Sequence, residues 1–211
     1  MDTSPLLIGF AFGFSLFAFV SMTSFIKLSV VLMITRQALG MQQVPSNMIV
    51  MALAVFLSIF VAWPILNLAV SNAILVDIDV LSASSVQEIW TAVISPFHAF
   101  MTERIDPEQA TYLALIATEL WADAGIVGQE TDLVIVIPSF MVSELTSAFE
   151  IGFLIYLPFV AIDLTVTGIL MALGMQMVQP NIISVPFKLL VFVFVDGWSK
   201  LVEGLIMTYI G

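Results

Sequence analysis

Ala38-Leu39-Gly40-Met41-Gln42-Gln43-Val44-Pro45-Ser46-Asn47-Met48-Ile49 returns, 134 positions later, as Ala172-Leu173-Gly174-Met175-Gln176-Met177-Val178-Gln179-Pro180-Asn181-Ile182-Ile183. Eight of the twelve positions are identical, and each copy interrupts a long hydrophobic stretch. Turn chemistry accounts for part of the likeness. A glycine ends a helix by taking a left-handed backbone conformation, and a proline just beyond it cannot continue the helix. An asparagine ahead of the next apolar run can cap a new one. None of this requires the shared Ala-Leu-Gly-Met-Gln, so the two stretches read as two related helical hairpins, with chance similarity of two apolar turns as the alternative.

The sequence around the turns is that of a polytopic membrane protein. Of its 211 residues 61% are hydrophobic and 10% charged, and the mean hydropathy is +1.13, far from the balance of soluble domains. No charge falls between Thr3 and Ile26 or between Gln37 and Val76. Met48 to Val76 alone exceeds the roughly 20 apolar residues that cross a bilayer core. The net charge of −11 is mostly local: between Asp77 and Asp132 ten acids face one base, Arg104. Five basic residues in all exclude a phosphate-tracking surface, so nucleic acid is not an expected partner. They provide no polybasic membrane-surface patch either. The absence of cysteine excludes disulfides, thiolate metal sites and cysteine nucleophiles. Met1-Asp2-Thr3-Ser4-Pro5 lacks the basic start of a signal peptide, so the first hydrophobic segment is expected to be retained.

The expected fold is all-α: a hydrophobic helical hairpin over 1–76, an acidic amphipathic lobe over 77–131, and a second hydrophobic hairpin over 132–211. The first helix is expected from about Pro5 to Leu39 and the second from about Asn47 to Val76. Thr131 or Asp132 caps the third, which continues to about Leu173, and the fourth runs from Asn181–Ser184 to the end. Pro64, Pro138, Pro158 and Pro186 should kink these helices, because each removes a backbone donor. In the middle, Val86, Ile89, Trp90, Val93, Ile94, Phe97, Phe100 and Met101 recur at helical spacing. Asp106-Pro107-Glu108 then supplies a cap, an N1 proline and an acid at the positive helix end. That second short helix reaches about Ala124, closed by Gly125 and Gly128. Lys27 and Arg36 near the first turn and Lys188 near the second place both turns on the cytoplasmic side and the lobe outside, a parallel repeat.

Charges in the second hairpin conflict with simple immersion in lipid. Glu144, Glu150, Asp163, Lys188, Asp196, Lys200 and Glu203 lie within or beside its apolar helices. At roughly 2.5–3.5 kcal/mol per charge at a bilayer centre, the set must be buried in an assembly, line water or lie partly outside the bilayer. Asp196 and Lys200, four apart with the acid first, suit a local ion pair, with Glu203 one turn on. Glu144 and Lys188 have no local partner and are expected to pair within or between subunits, with Arg104 as a further candidate. Glu150 and Asp163 allow two readings, oligomer contacts or a proton or cation relay.

Catalytic signals are lacking. His98 is the single histidine, without companions for zinc, and no phosphate loop, nucleophile elbow or nucleotide fingerprint occurs. No enzyme activity and no cofactor are expected. Phe10, Phe12, Phe14, Phe17 and Phe19 cover several faces of one helix.

Met22-Thr23-Ser24-Phe25-Ile26-Lys27 and Arg36-Gln37-Ala38-Leu39-Gly40 with Gln42-Gln43-Val44-Pro45-Ser46-Asn47 resemble one signature of the type III secretion export-gate family, the R component of the injectisome export apparatus and its flagellar counterpart FliP. Ser143-Glu144-Leu145, Ala148-Phe149-Glu150-Ile151-Gly152-Phe153 and Tyr156-Leu157-Pro158-Phe159 resemble a second. Ile162-Asp163-Leu164, Met171-Ala172-Leu173-Gly174-Met175, Pro186-Phe187-Lys188-Leu189-Leu190 and Asp196-Gly197-Trp198 complete it. The missing signal peptide favours the injectisome branch.

The resemblance implies a bacterial inner-membrane protein whose core projects toward the periplasm. It implies five copies of this chain, four Q-type subunits and a single-copy neighbour in a helical, cone-shaped oligomer. Other small export-apparatus membrane subunits, needle components, lipid and unfolded secreted proteins are the remaining implied partners. It also implies that Met175 and Met177 belong to a methionine-rich pore gasket, in which Gln176 interrupts the family's usual run of methionines. An unbranched, polarizable side chain can repack around varied chains, although methionines packing a buried turn would read the same way. A coupled secondary transporter using Glu150 and Asp163, or a scaffold whose pore is lined by another subunit, are the competing functions.

Overall fold

The computed structural model describes residues 13, 16–41, 45–75, 83–175 and 177–210. The expected helix start at Pro5, Phe10, Phe12 and Phe14, the turn residues Gln42 and Gln43, and Gln176 lie outside the described residues, as does the side chain of Val86. Every described element is helical: α1 (Leu16–Met22), α2 (Phe25–Ala38), α3 (Asn47–Leu75), α4 (Ala83–Thr102), α5 (Pro107–Leu120), a 3₁₀ turn (Ala122–Ala124), α6 (Leu133–Ala172), α7 (Pro180–Phe194) and α8 (Gly197–Met207). By length and composition α3 and α6 can each cross a membrane, and the bent pairs α1–α2 and α7–α8 raise the number of candidate spans to four. The 40 residues of α6 extend roughly 60 Å at the helical rise per residue. That is about twice the hydrocarbon thickness of a bilayer.

Two of the expected four helices are broken, and neither break is at a proline. The helices continue past Pro64 and Pro186 and past Pro138 and Pro158. The first break follows Met22, where hydroxyls compete with the backbone ladder. Ser21 Oγ donates to the Phe17 carbonyl (2.8 Å) and Thr23 Oγ1 to that of Phe19 (2.5 Å). Ser58 Oγ on α3 donates to Thr23 Oγ1 (3.0 Å) and accepts from Ser24 Oγ (3.3 Å), all three side chains being buried. The break is thus a satisfied polar joint. The second is at Asp196, the one non-glycine residue with positive φ among the described residues (φ 53°). Aspartate tolerates that conformation because its short polar side chain bonds locally, and here its carboxylate accepts from Ser199 Oγ at 2.9 Å. A side chain at Gly197 would strike the Phe192 ring, so α7 and α8 meet at 63° around a residue that must stay small.

The chain divides into two compact units, Met1–Ile26 with Ser58–Thr146, and Lys27–Leu57 with Ser147–Gly211, so both long helices contribute to both. The first unit contains the acidic lobe. Asp106 caps α5 by accepting from the Glu108 N–H (3.0 Å), Pro107 is its first residue, and the Asp106 N–H is held by Ser143 Oγ (3.0 Å). Asp132 precedes α6 but turns its carboxylate back to the Gln129 N–H (2.9 Å) instead of capping forward. His98 Nε2 donates to the Thr131 carbonyl at 2.8 Å, a tether for the lobe. Ala110, Ala114 and Ala117 form the buried face of α5, with Ala114 and Ala117 clustered on Ile135 of α6.

The second unit is held by aromatic and aliphatic packing. Ala38, Leu39, Phe159 and Phe192 form its buried cluster, with the Phe192 ring 6.2 Å from Phe159 and edge-on to Trp198 at 5.2 Å. Gly152 of α6 lies so close to Ile34 of α2 that a Cβ would come 2.5 Å from its Cδ1. Lys27 is buried with its ammonium 4.3 Å from the centre of the Tyr209 ring.

Candidate functional site

Both repeated turns close with the same backbone bonds. In the first, the Gly40 N–H donates to the Gln37 carbonyl (2.9 Å) and the Met41 N–H to that of Arg36 (3.3 Å). In the second, Gly174 donates to Met171 (3.0 Å) and Met175 to Leu170 (2.9 Å). Gly40 and Gly174 have φ of 73° and 72°. This is the Schellman closure, in which a left-handed glycine returns two amides to the last helical carbonyls. The two turns therefore share one local backbone geometry.

The surroundings of the two turns differ. Leu39 is fully buried, and a Cβ on Gly40 would lie 2.7 Å from Val185 Cγ2 of α7. Arg36 Nη1 donates to the Pro45 carbonyl (3.2 Å), drawing the two arms of that turn together. A Cβ on Gly174 would meet nothing within 4 Å, Leu173 is exposed, and Met175 and Met177 are 43% and 99% exposed. Beneath the second turn, α6 and α7 border an apolar groove of about 650 Å³ lined by Ile162, Ile169, Leu170, Met175, Ile183 and Phe187 among others. Gly40→Ala is therefore expected to cost the left-handed penalty of about 1–2 kcal/mol plus about 1–3 kcal/mol of overpacking. Gly174→Ala carries the first cost alone. Thermal unfolding of the two variants side by side checks the difference.

A single lysine joins the first turn to the second hairpin. Lys188 of α7 is 5% exposed, and its ammonium donates to Asp163 Oδ2 of α6 (2.5 Å) and to the Ala38 carbonyl (3.0 Å). Ala38 is the last residue of α2, where carbonyls have no intrahelical partner and a cation is favoured by the helix dipole. One side chain thereby ties three helices together. The other Asp163 oxygen, Oδ1, is buried without a hydrogen-bond partner among the described residues, and so is Ser184 Oγ one turn before Lys188.

Within the second unit Lys188 takes Asp163, which α6 presents beside it. Arg104 lies over the Phe100 ring at 4.1 Å and bonds Glu103 at 3.1 Å. Asp196 and Lys200 make no ion pair: the i, i+4 geometry required one continuous helix, and α7 ends before Asp196. On the single chain Glu150, Asp196, Lys200 and Glu203 are exposed and Asp163 is half-buried. Glu144 is buried, at 2% exposure. Glu144→Ala is expected to lower the yield of assembled protein several-fold, and Glu150→Ala to leave it near normal, as native mass after extraction would report.

These features, a matched pair of turns and a lysine clamp in an apolar helical chain, coincide with a family model that spans residues 10–205. The chain belongs to the FliP family. It is 42% identical over 194 residues to the Yop proteins translocation protein R of Yersinia pestis, which covers 91% of this chain and 89% of that one. It is 41% identical over 214 residues to the virulence protein YscR of Salmonella typhimurium, covering 99% of both. It is 40% identical over 189 residues to the harpin secretion protein HrcR of Erwinia amylovora, covering 89% and 87%. Membership makes this chain a membrane protein of the type III secretion export apparatus, a role in protein transport and virulence. The names of these relatives describe translocation and secretion components, not enzymes. Sequence reading missed the Thr23–Ser24–Ser58 joint and the Ala38 carbonyl as a lysine partner. Only the hydroxyl-rich Ser21-Met22-Thr23-Ser24 run signalled the first, and nothing local signalled the second.

Proposed function

We propose that this FliP-family chain is a pore-forming core subunit of the export gate, conducting unfolded secretion substrates and closing against small solutes at rest. The observation that carries this reading is the divergence of two like turns: one is locked inside the chain, the other holds Met177 wholly in the open. A free-standing apolar turn on a bonded scaffold is unfavourable in water unless an assembly uses it. In a five-fold arrangement, five such turns converge on the axis and form an adaptable thioether ring. The first hairpin (1–76) packs the assembly, the second (132–211) presents the loop, and the acidic lobe (77–131) faces the periplasm. The length of α6 relative to a bilayer supports a core raised from the inner membrane toward that side. Four Q-type subunits and a single-copy neighbour complete the cone, which receives substrate and connects to the needle components.

The test is the native mass of the detergent-extracted complex after co-expression with its genomic neighbours. Five copies with smaller hydrophobic partners are expected; a stable monomer or dimer under conditions that preserve membrane assemblies would overturn the reading. One observation favours a second reading, an ion- or proton-coupled carrier: the unpartnered Oδ1 of Asp163 is the kind of group that such coupling uses. Glu150→Gln with Asp163→Asn separates the two. A carrier would stay assembled and lose coupled transport, whereas the gate loses assembly or nothing.

A further inference from the structure

We infer that the outward face of α5 is a docking surface for a cationic amphipathic helix of another protein chain, an inference that rests on the lobe alone. An ordinary surface helix buries its large apolar side chains and shows its polar ones. Helix α5 does the reverse. Ala110, Ala114 and Ala117 are turned inward, where Gly128 closes on them: a Cβ there would be 2.9 Å from the Ala117 Cβ. Tyr112, Leu115, Ile116 and Leu120 are turned outward and exposed, Leu120 by 75%. By helical spacing Tyr112, Leu115 and Ile116 occupy the side opposite the alanines, with Leu120 at its edge. The left-handed Gly125 then brings Ile126 and Val127, also exposed, after the helix end. Leu113 packs partly buried against the alanine cluster, but so many large apolar side chains left exposed on a helix whose fully buried residues are all alanines point to a covering partner.

Charge selects the partner. Glu108 and Glu119 share the outward face and are exposed, and exposed Asp123 follows its end. No basic residue occurs between Arg104 and Lys188, so the lobe neutralises none of these acids with a lysine or arginine of its own beyond Arg104. Two copies meeting face to face would oppose like charges, which is destabilising. An anionic lipid surface is repelled in the same way. An apolar stripe flanked by acids is complemented by a helix with leucine-like residues at helical spacing and lysine or arginine beside them, the helix-in-groove mode of recognition.

The cysteine-free sequence makes the test direct. In the full chain, reconstituted in zwitterionic lipid nanodiscs, Leu120→Cys provides a single thiol at the edge of the face. The probes are two helical peptides with the same leucine pattern and one central cysteine activated as its 2-pyridyl disulfide, so that attack by the protein thiolate forms the mixed disulfide and releases pyridine-2-thione; one peptide carries lysine and the other glutamate at the polar positions. The lysine peptide is expected to be trapped as a disulfide about tenfold faster or more, the gain that opposite charge gives to encounter. That advantage should disappear with Glu108→Gln/Glu119→Gln/Asp123→Asn and, separately, with Tyr112→Ser/Leu115→Ser. Equal trapping of the two peptides would overturn the inference. So would equal trapping at a control thiol, Thr146→Cys, or loss with the charge variant but not the apolar one, since both describe non-specific adsorption. Disulfide dimers of the chain itself, persisting when the lysine peptide is in excess, would assign the face to a second copy instead.

Discussion

Lys188→Met is expected to disconnect the first turn from the second hairpin and to lower the stability of that unit by about 2–4 kcal/mol. The estimate follows from what the substitution leaves behind. Methionine fills a similar volume, so little packing is lost. Asp163, however, loses its cation, and removing one partner of a buried pair costs about 3–5 kcal/mol when the remaining charge stays dry. Asp163 is 36% exposed at its side chain, so water recovers part of that cost. The Ala38 carbonyl adds an unsatisfied acceptor, about 1–3 kcal/mol if it finds no substitute. Thermal unfolding of the extracted protein reads the total. The companion variant Lys188→Met/Asp163→Leu removes both charges and should recover most of the loss, though not the share belonging to Ala38. If the double variant were as unstable as the single, the carboxylate would not be the stranded group and the clamp would act through Ala38 alone. Lys188→Arg should fall between them, because a planar fork cannot reproduce a point donor aimed at two acceptors on different helices.

That clamp also shows where sequence reading stops. The turn closures at Gly40 and Gly174 were legible because glycine and proline act on their own backbone within a few residues, and the start of α5 was legible at Asp106-Pro107 for the same reason. Lys188 and Asp163 are separated by 25 positions on different helices. Hydropathy indicates that such charges need partners but does not rank Glu144, Glu150 and Asp163 as candidates; only the way α6 lies along α7 does. The Asp196–Lys200 pair failed through its premise: spacing arguments require an unbroken helix, and an aspartate in the left-handed region breaks it without any glycine or proline at that position. The exposure of Glu150, Lys200 and Glu203 has another cause. Sequence signals the demand for burial in the whole assembly, whereas one chain displays the surfaces before its neighbours cover them.

Met175→Ala with Met177→Ala is expected to open the resting complex to ions, several-fold above the parent, while the chain remains folded and assembled. Folding should be spared because the turn is held by the Gly174 and Met175 amides, which substitution of side chains leaves in place, and because Met177 buries nothing in the single chain. What is lost is reach: each alanine removes the flexible thioether arm that fills space beyond the turn. Ion leak across membranes containing the whole complex reads the seal, and secretion of substrate in the same cells reads conduction. Met175→Leu with Met177→Leu separates closing from yielding. Leucine keeps the apolar bulk, so the resting seal should hold, but its branched and less adaptable side chain should slow passage of varied unfolded segments. An alanine variant as tight as the parent would place the seal on another subunit and leave this chain a scaffold. A leucine variant that secretes at the normal rate would show that bulk alone, rather than compliance, is what the exposed turn supplies.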